Sequence, residues 1–298
     1  MRKRHIMETR GDRVFDIVNN CFALLFLLIV AYPLIVIISS SFSDAKALMA
    51  GKVWLWPVDF TLAGYKAVLH HKTIGLGMYN SAVYTIVGTV VNMFITILAA
   101  YPLSRKDFTL QKPLSLLLAF TMWFNGGLIP TYMLVKNLHL FNTLWAMVLP
   151  TAMSVWNMII LRTYFQSNIS GELLESAKLD GCDDFKYLLK IAIPLSKPSL
   201  AVITLYYMVA NWNVFMNAYL YLQDSDLHPI QVVMRQILLQ NTANEDIPRD
   251  ALSDTKAQLM SELLKYSTVI IGSLPMIIVY PFVQKYFVKG IMIGAVKG

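Results

Sequence analysis

Long apolar runs alternate with short polar segments along the whole chain. Six of the runs reach about 20 residues, the length that a helix needs to cross ~30 Å of hydrocarbon. Within them, Asp, Glu, Lys and Arg occur only near the ends. The runs lack the roughly ten-residue alternation of barrel strands, so helices are the spanning elements that they predict. The predicted spans are residues 15–38, 79–103, 113–135, 143–163, 198–222 and 266–284.

A polar, charged segment separates the fourth and fifth predicted spans, and we call residues 170–194 the elbow. Its sequence predicts two short helices joined at Gly181, because glycine alone takes the left-handed conformation after a helix end without steric cost. Ser170 is predicted to cap the first helix and Asp183 or Asp184 the second, since their oxygens accept the free N–H groups of a first turn. A segment this polar lies in water, so the elbow projects from the membrane and is shaped to dock into a partner.

Five residues of the elbow lie at the spacing of a known motif: Glu175, Ala177, Asp180, Gly181 and Pro194. They resemble the "EAA" loop of the permease subunits of ABC importers, and Pro194 is predicted to close the second helix. The run 288–298 is similar to the C-terminus of MalG-type sugar permeases. Ser176 and Cys182 stand where the family usually has alanine, but both are small enough for close packing. The resemblance covers roughly residues 79 to 298.

The resemblance implies an all-α, polytopic membrane protein with six transmembrane helices and the MetI-like ABC importer permease fold. The predicted spans and the basic residues divide the chain into four parts. These are a cytosolic basic tail (1–13), a first transmembrane helix with an external segment (14–78), a region of five helices (79–285) and a cytosolic C-terminal tail (286–298). The resemblance identifies the five-helix region as the importer transmembrane domain, with a cytosolic coupling loop (164–197) and an external segment (223–264).

In that family the elbow sits in a cleft of the ATP-binding subunit. The residues implied to couple this chain to the ATPase are Glu175, Ala177, Asp180, Gly181, Phe185 and Pro194. The implied partners are a second permease subunit, two copies of an ATP-binding subunit and an extracellular solute-binding protein. ATP and Mg would be bound by the ATPase subunits, and no cofactor is expected in this chain. The alternative is an ordinary cytosolic hairpin in which Glu175 pairs with Lys178.

Composition and charge place the chain in a membrane and orient it. With 56% hydrophobic and 14% charged residues and a mean hydropathy of +0.54, it is too apolar for a soluble domain of 298 residues. Six spans put 16 of its 25 basic residues on the side of both termini and the elbow. The positive-inside rule then predicts cytosolic termini in a bacterial cell membrane. This asymmetry accounts for the net charge of +7, and no basic patch alternating with aromatic residues indicates nucleic-acid binding.

Several classes of chemistry lack their sequence signals. The chain has no phosphate-binding loop ending in Gly-Lys-Ser/Thr, no nucleophile elbow and no His-Glu-x-x-His pattern, so we expect a non-catalytic subunit. No ionisable residue lies in the middle of a span, which argues against an ATP-independent, proton-coupled carrier. No metal-ligand spacing occurs, and Cys21 and Cys182 fall in regions that cannot form a disulfide. The energy for transport must therefore come from another subunit.

Polar and aromatic residues inside the spans are candidates for a substrate path. Amides hydrogen-bond sugar hydroxyls, and aromatic faces pack against sugar rings. The candidates are Asn211, Trp212, Asn213, Asn217, Tyr207, Trp156 and Asn125. The alternative is that these residues join helices to each other. Oligosaccharides are the expected substrates, with polyols or glycerol phosphates as the alternative within the same family. A membrane-embedded enzyme or sensor is a further class of function, but the sequence contains no catalytic constellation that would support it.

The two external segments carry one predicted element each. Trp54 and Trp56 predict an interfacial aromatic anchor, with contact to a partner as the alternative. After Pro229, apolar residues recur at helical spacing and predict an amphipathic helix: Ile230, Val233, Met234, Ile237 and Leu238. Acidic residues around it suit either a solvated face or a docking surface for the external receptor: Asp224, Asp226, Glu245, Asp246 and Asp250.

Overall fold

The computed structural model describes residues 10–243 and 253–295, which form helices joined by turns, without a strand in these ranges. The rest of the predicted tails, at 1–9 and 296–298, lies outside the described residues, as do Glu245, Asp246 and Asp250. The helices are α1 (Arg10–Ser41), α2 (Ala45–Met49), α3 (Ala63–His70), α4 (Lys72–Ser104), α5 (Gln111–Trp123), α6 (Leu128–Asn137), α7 (Leu144–Val148), α8 (Val155–Asn168), α9 (Gly171–Leu179), α10 (Asp184–Tyr187), α11 (Ile193–Leu195), α12 (Lys197–Trp212), α13 (Met216–Tyr221), α14 (Ile230–Ala243) and α15 (Ser253–Ala295).

Three helices of the described residues are long and apolar enough to cross a membrane: Gly11–Ser41, Lys72–Ser104 and Gln258–Phe282. Three further candidates are helix pairs with sharp bends, so six spans result only when each bent pair counts as one. The bends are 111° between Gln111–Trp123 and Leu128–Asn137, 54° between Leu144–Thr151 and Val155–Asn168, and 84° between Asp184–Leu195 and Lys197–Trp212.

The predicted spans 113–135, 143–163 and 198–222 are therefore not single continuous helices. The first breaks at Asn125-Gly126-Gly127: Gly127 has a φ of 79°, and its N–H donates to Asn125 Oδ1 at 3.0 Å. In the second, Ser154 caps a new helix by accepting from Asn157 N. In the third, the helix α12 ends at Trp212 and the chain becomes helical again as α13. The helix that forms a bent pair with α12 is Asp184–Leu195, which precedes it in the elbow.

The structure divides into two compact units, of which the first comprises Met1–His70 and Ile237–Ile271. The turns that follow α1 are held by hydroxyl groups at the C-terminal end of this helix. Ser39 Oγ donates to Leu55 O at 2.7 Å, and Ser41 Oγ lies 2.7 Å from the Tyr65 hydroxyl. The tryptophans of the predicted anchor, Trp54 and Trp56, are exposed.

The second unit comprises His71–Gln236 and Gly272–Gly298, and it is organised around α4. One face of α4 carries a row of buried polar residues: Asn80, Ser81, Thr85, Thr89, Asn92 and Thr96. Asn211 of α12 donates from Nδ2 to Asn92 Oδ1 at 2.9 Å, and the Tyr207 hydroxyl lies 2.6 Å from Thr96 Oγ1. At Gly88, a Cβ atom would lie 2.9 Å from Asn211 Nδ2, so glycine allows α12 to approach this closely.

The amphipathic helix predicted after Pro229 is confirmed as α14. Its buried residues Ile230 and Val233 lie against Gly77 of α4. The turn before it is also fixed to α4, because Asn80 Nδ2 donates to Asp226 O at 2.7 Å and Ser81 Oγ accepts from Ile230 N at 2.9 Å. The start of α14 and the turn before it are thus anchored on α4.

Candidate functional site

The turn of the elbow is a Schellman motif centred on Gly181. The Gly181 N–H donates to Lys178 O at 3.0 Å, and the Cys182 N–H donates to Ala177 O at 2.9 Å. These are the two bonds by which a left-handed residue closes a helix. Gly181 has a φ of 74°, which confirms the conformation predicted from the sequence. Ala177 is buried and Cys182 half-buried beside it, so the apolar contact that accompanies this motif is also present.

Both predicted caps of the elbow are present. Ser170 Oγ accepts from Leu173 N at 3.3 Å, and of the two candidates for the second helix Asp183 is the cap, with its carboxylate 2.7 Å from Lys186 N. The prediction that Pro194 closes the second helix is wrong by one residue. Pro194 lies in α11, one residue before the end of the helical path that begins at Asp184. The helical path ends at Leu195 after a π-helical turn at Leu188–Ala192.

The outer surface of the elbow exposes Glu175 together with large apolar side chains. Glu175 is exposed, and none of the described residues pairs with it. Leu179 is 90% exposed and Phe185 63% exposed. The alternative pairing of Glu175 with Lys178 is contradicted, because Lys178 Nζ instead lies 3.3 Å from Asp107 Oδ2. Exposed leucine and phenylalanine beside an unpaired charge are typical of a surface that binds another protein.

The inner surface of the elbow is part of the largest described core. Ala177, Tyr187, Leu188 and Ala192 of the elbow are buried there. They pack with residues near the C-terminal ends of α4 and α8 and within α12, among them Tyr101, Phe165 and Ile203. A displacement of the elbow would therefore move three helices of the second unit together.

An ion-pair network ties the elbow to the end of α4. Arg105, whose side chain is only 11% exposed, donates from Nη1 to Asp184 at 2.8 Å and to the Tyr101 hydroxyl at 2.9 Å. Its Nε and Nη2 atoms donate to the two carboxylate oxygens of Asp107 at 2.9 and 2.6 Å. Lys178 of α9 joins the network through Asp107, so both helices of the elbow are connected to it.

The charges of this network perturb each other. The hydrogen bonds from Arg105 are the main cause that lowers the pKa of Asp107 to about 2. The same bonds to Asp107 raise the pKa of Arg105, against the opposing effect of burial. Both groups therefore stay charged near neutral pH. Sequence analysis missed this network, because an arginine directly after an apolar run is an ordinary membrane-edge residue and its partner Asp184 is 79 positions away.

The predicted path residues fall into two groups. Tyr207 and Trp212 are buried, and the Trp212 indole donates from Nε1 to Gly272 O at 3.0 Å. With Asn211 bonded to Asn92, these three residues join helices within the chain, as the packing alternative describes. The other four are exposed or half-buried, and a path role for them stays a prediction: Asn213, Asn217, Trp156 and Asn125.

Comparisons with known proteins agree with this architecture. The family model described as "Binding-protein-dependent transport system inner membrane component" matches residues 7–293. The chain is 40% identical over 287 residues to the polygalacturonan/rhamnogalacturonan transport system permease protein YtcP of Bacillus subtilis, covering 96% of this chain and 99% of the relative. It is 39% identical over 302 residues to protein LplC of the same organism, covering both chains fully.

A solved structure shows the same fold. The relative is a chain of a bacterial ABC transporter involved in the import of the acidic polysaccharide alginate, with a TM-score of 0.85 and 34% identity. The match covers 94% of this chain and 98% of that chain. The family resemblance and the MetI-like permease fold expected from the sequence are thereby confirmed. This chain belongs to the family of inner membrane components of binding-protein-dependent transport systems, the non-catalytic permease subunits of ABC importers.

Proposed function

We propose that this chain is a permease subunit of an ATP-driven importer of oligosaccharides, and that it forms half of the translocation path. The other half belongs to a second permease subunit. Two copies of an ATPase subunit supply the energy, binding ATP and Mg themselves, and an extracellular solute-binding protein delivers the sugar. The names of the relatives, which refer to polysaccharide transport, support the substrate class.

The elbow is the observation that carries this proposal. Its outer surface presents Glu175, Leu179 and Phe185 without a described partner, whereas its inner surface is packed against α4, α8 and α12. Docked in a cleft of the ATPase, the elbow moves when the ATPase dimer closes. Since its inner surface cannot slide independently of the core, the motion passes to the helices and opens the path alternately to each side.

The Arg105 network adds directional bonds to the contact between the elbow and α4. Apolar packing resists separation of the elbow from the helices but is non-directional. The bonds of Arg105 to Asp107 and Asp184, in contrast, have fixed geometry, and they lie beyond the membrane edge where the elbow meets α4. We infer that this network holds the angle of the elbow while the ATPase pulls on it.

We also propose that the protein lies in the bacterial cell membrane with both termini cytosolic, as the distribution of basic residues indicates. A reporter fused after Gly298 should be active only in the cytosol. An external signal from that fusion would contradict the proposed topology, because six crossings that start from a cytosolic N-terminus return the C-terminus to the cytosol.

Reconstitution tests the function itself. The chain co-expressed with its partner subunits should purify with the ATPase, and ATP hydrolysis in vesicles should rise when sugar-loaded binding protein is added. The chain purified alone should neither hydrolyse ATP nor transport sugar. If the chain alone takes up sugar without ATP, driven by an ion gradient, it is a secondary carrier and the proposal is wrong.

A further inference from the structure

Arg235 lies on α14 with its guanidinium over two aromatic rings. Its Cζ atom is 4.5 Å from the centroid of the Phe215 ring and 6.0 Å from that of Tyr219. The two rings stack on each other with centroids 5.7 Å apart. Arg235 is exposed, and no carboxylate within residues 10–243 and 253–295 pairs with it. A cation–π contact uses none of its N–H donors in a hydrogen bond, so these remain available to a ligand.

Two amide side chains lie beside this cation. Gln231, one helical turn before Arg235 and on the same face of α14, donates from Nε2 to Asn213 Oδ1 at 3.2 Å. Asn213 is exposed at the break between α12 and α13, and its Nδ2 donates to Val209 O at 2.9 Å. A guanidinium, two amides and two aromatic rings therefore meet at one place in the second unit.

The predicted span 79–103 puts this place at the depth of the membrane, although Arg235 belongs to the segment 223–264 that the sequence predicts to be external. Phe215 packs against a buried cluster that contains Tyr84, Ala218 and Val232. Tyr84 is five residues inside the predicted span 79–103, which corresponds to roughly 8 Å along the helix. An arginine facing hydrocarbon at this level is unfavourable, and such residues face a water-filled cavity or a partner instead. Arg235 is thus placed to face the translocation path.

We propose that Arg235, with Phe215, Tyr219, Asn213 and Gln231, forms a binding site for the carboxylate of an acidic sugar, so that the imported oligosaccharide contains uronic acid residues. This rests on the proposed function, which supplies the oligosaccharide. The planar guanidinium binds a carboxylate through two parallel hydrogen bonds. The amides accept and donate to ring hydroxyls, and the exposed ring of Tyr219 packs against the apolar face of the sugar.

The test compares one sugar chain in two charge states. The complete complex, with binding protein, is reconstituted in vesicles and supplied either with an oligomer of galacturonic acid or with the same oligomer after methyl esterification of its carboxyl groups. The variants are Arg235→Gln, which removes the charge, and Arg235→Lys, which keeps the charge but not the planar fork. Lys136→Gln removes an exposed cation elsewhere in the second unit and is the matched control.

Arg235→Gln should lower uptake of the acid oligomer by about ten- to a hundredfold, the loss expected for a charge-assisted hydrogen bond. Uptake of any esterified oligomer that the wild type transports should be unchanged, Arg235→Lys should be intermediate, and Lys136→Gln should match the wild type. Direct binding of the acid oligomer to the purified complex should weaken by a similar factor, which tests the site without dependence on the binding protein.

Four results would overturn the assignment. An equal loss for both oligomers would mean that Arg235 serves the path generally, and loss of co-purification with the second permease would mean that it pairs with that subunit. If the effect of Arg235→Gln disappears in vesicles without anionic lipid, the guanidinium binds lipid head groups. A wild-type complex that neither binds nor transports the acid oligomer also excludes the site. In that last case, ATP hydrolysis that still responds to loaded binding protein shows that the proposed importer function stands.

Discussion

Replacing Gly181 with valine tests whether the angle of the elbow transmits force. Gly181 has a φ of 74°, and an ideal Cβ atom built there meets no atom within 4 Å. A Cβ atom therefore clashes with no described atom, and the effect that we expect comes from the backbone conformation. The left-handed conformation costs an L-residue roughly 1–2 kcal/mol. This corresponds to a factor of about 5–30 in the population of the native turn.

A graded series separates this effect from a general loss of the elbow. Asparagine tolerates the left-handed region better than alanine, and β-branched valine is the least compatible. Uptake, and ATP hydrolysis stimulated by loaded binding protein, should therefore fall in the order glycine, asparagine, alanine, valine at position 181. Gly171→Ala is the control, because Gly171 lies in the same elbow with ordinary φ and open space around its Cβ position. It should behave like the wild type.

Co-purification of the ATPase distinguishes a detached elbow from one that is docked but no longer coupled. Wild-type uptake by Gly181→Val would refute the reasoning, since the turn would then not be required for transport. A loss in Gly171→Ala as large as that in Gly181→Val would also refute it, because the effect would then not depend on the left-handed conformation.

Three further predictions concern single residues. Trp212→Ala should lower the free energy of unfolding by roughly 3–5 kcal/mol, because it empties a buried site and leaves Gly272 O unpaired. Trp212→Phe should lower it less. Unchanged thermal stability combined with lost uptake would instead place Trp212 on the path. The pKa of Asp107 is lowered from 3.8 to about 2 in the folded protein, so its pairing stabilises the elbow fully above pH 3.8 and is lost as the pH falls toward 2. Hydrogen exchange of elbow amides, corrected for intrinsic rates, should therefore give the same opening free energy at every pH between about 5 and 8. Glu175→Lys should release the ATPase during purification, because it reverses the charge at the proposed contact, and normal transport by this variant would remove Glu175 from the coupling surface.

The elbow could be predicted closely from sequence because its signals are local. Ser170 and Asp183 each bond to a backbone N–H three residues later, and Gly181 closes a helix through its own neighbours. Such contacts depend on the residue type and on a few flanking positions. Even the error at Pro194 amounts to one residue.

The interior of the second unit could not be predicted in the same way, because it depends on residues far apart in sequence. Composition marks Trp212 and Asn213 equally as polar-aromatic residues of a span, yet one is buried against Gly272 and the other is exposed. Likewise, in the sequence Arg235 is only one of nine basic residues on the predicted external side. The fold distinguishes it from the others by placing its guanidinium over the ring of Phe215, which lies 20 positions earlier. The apolar pattern also shows where a span lies without showing whether its helix is continuous, as the break after Trp212 demonstrates.

The polar row on α4 has a consequence for how the protein is made. Thr96 and Asn92 reach the membrane during translation well before their partners Tyr207 and Asn211, which follow 111 and 119 residues later. At a synthesis rate of ~5–20 residues per second, α4 waits roughly 6–24 s with these groups unpaired. Lipid offers them no hydrogen bonds in that interval. The nascent α4 should therefore remain beside the insertion machinery, or a membrane chaperone, until α12 emerges.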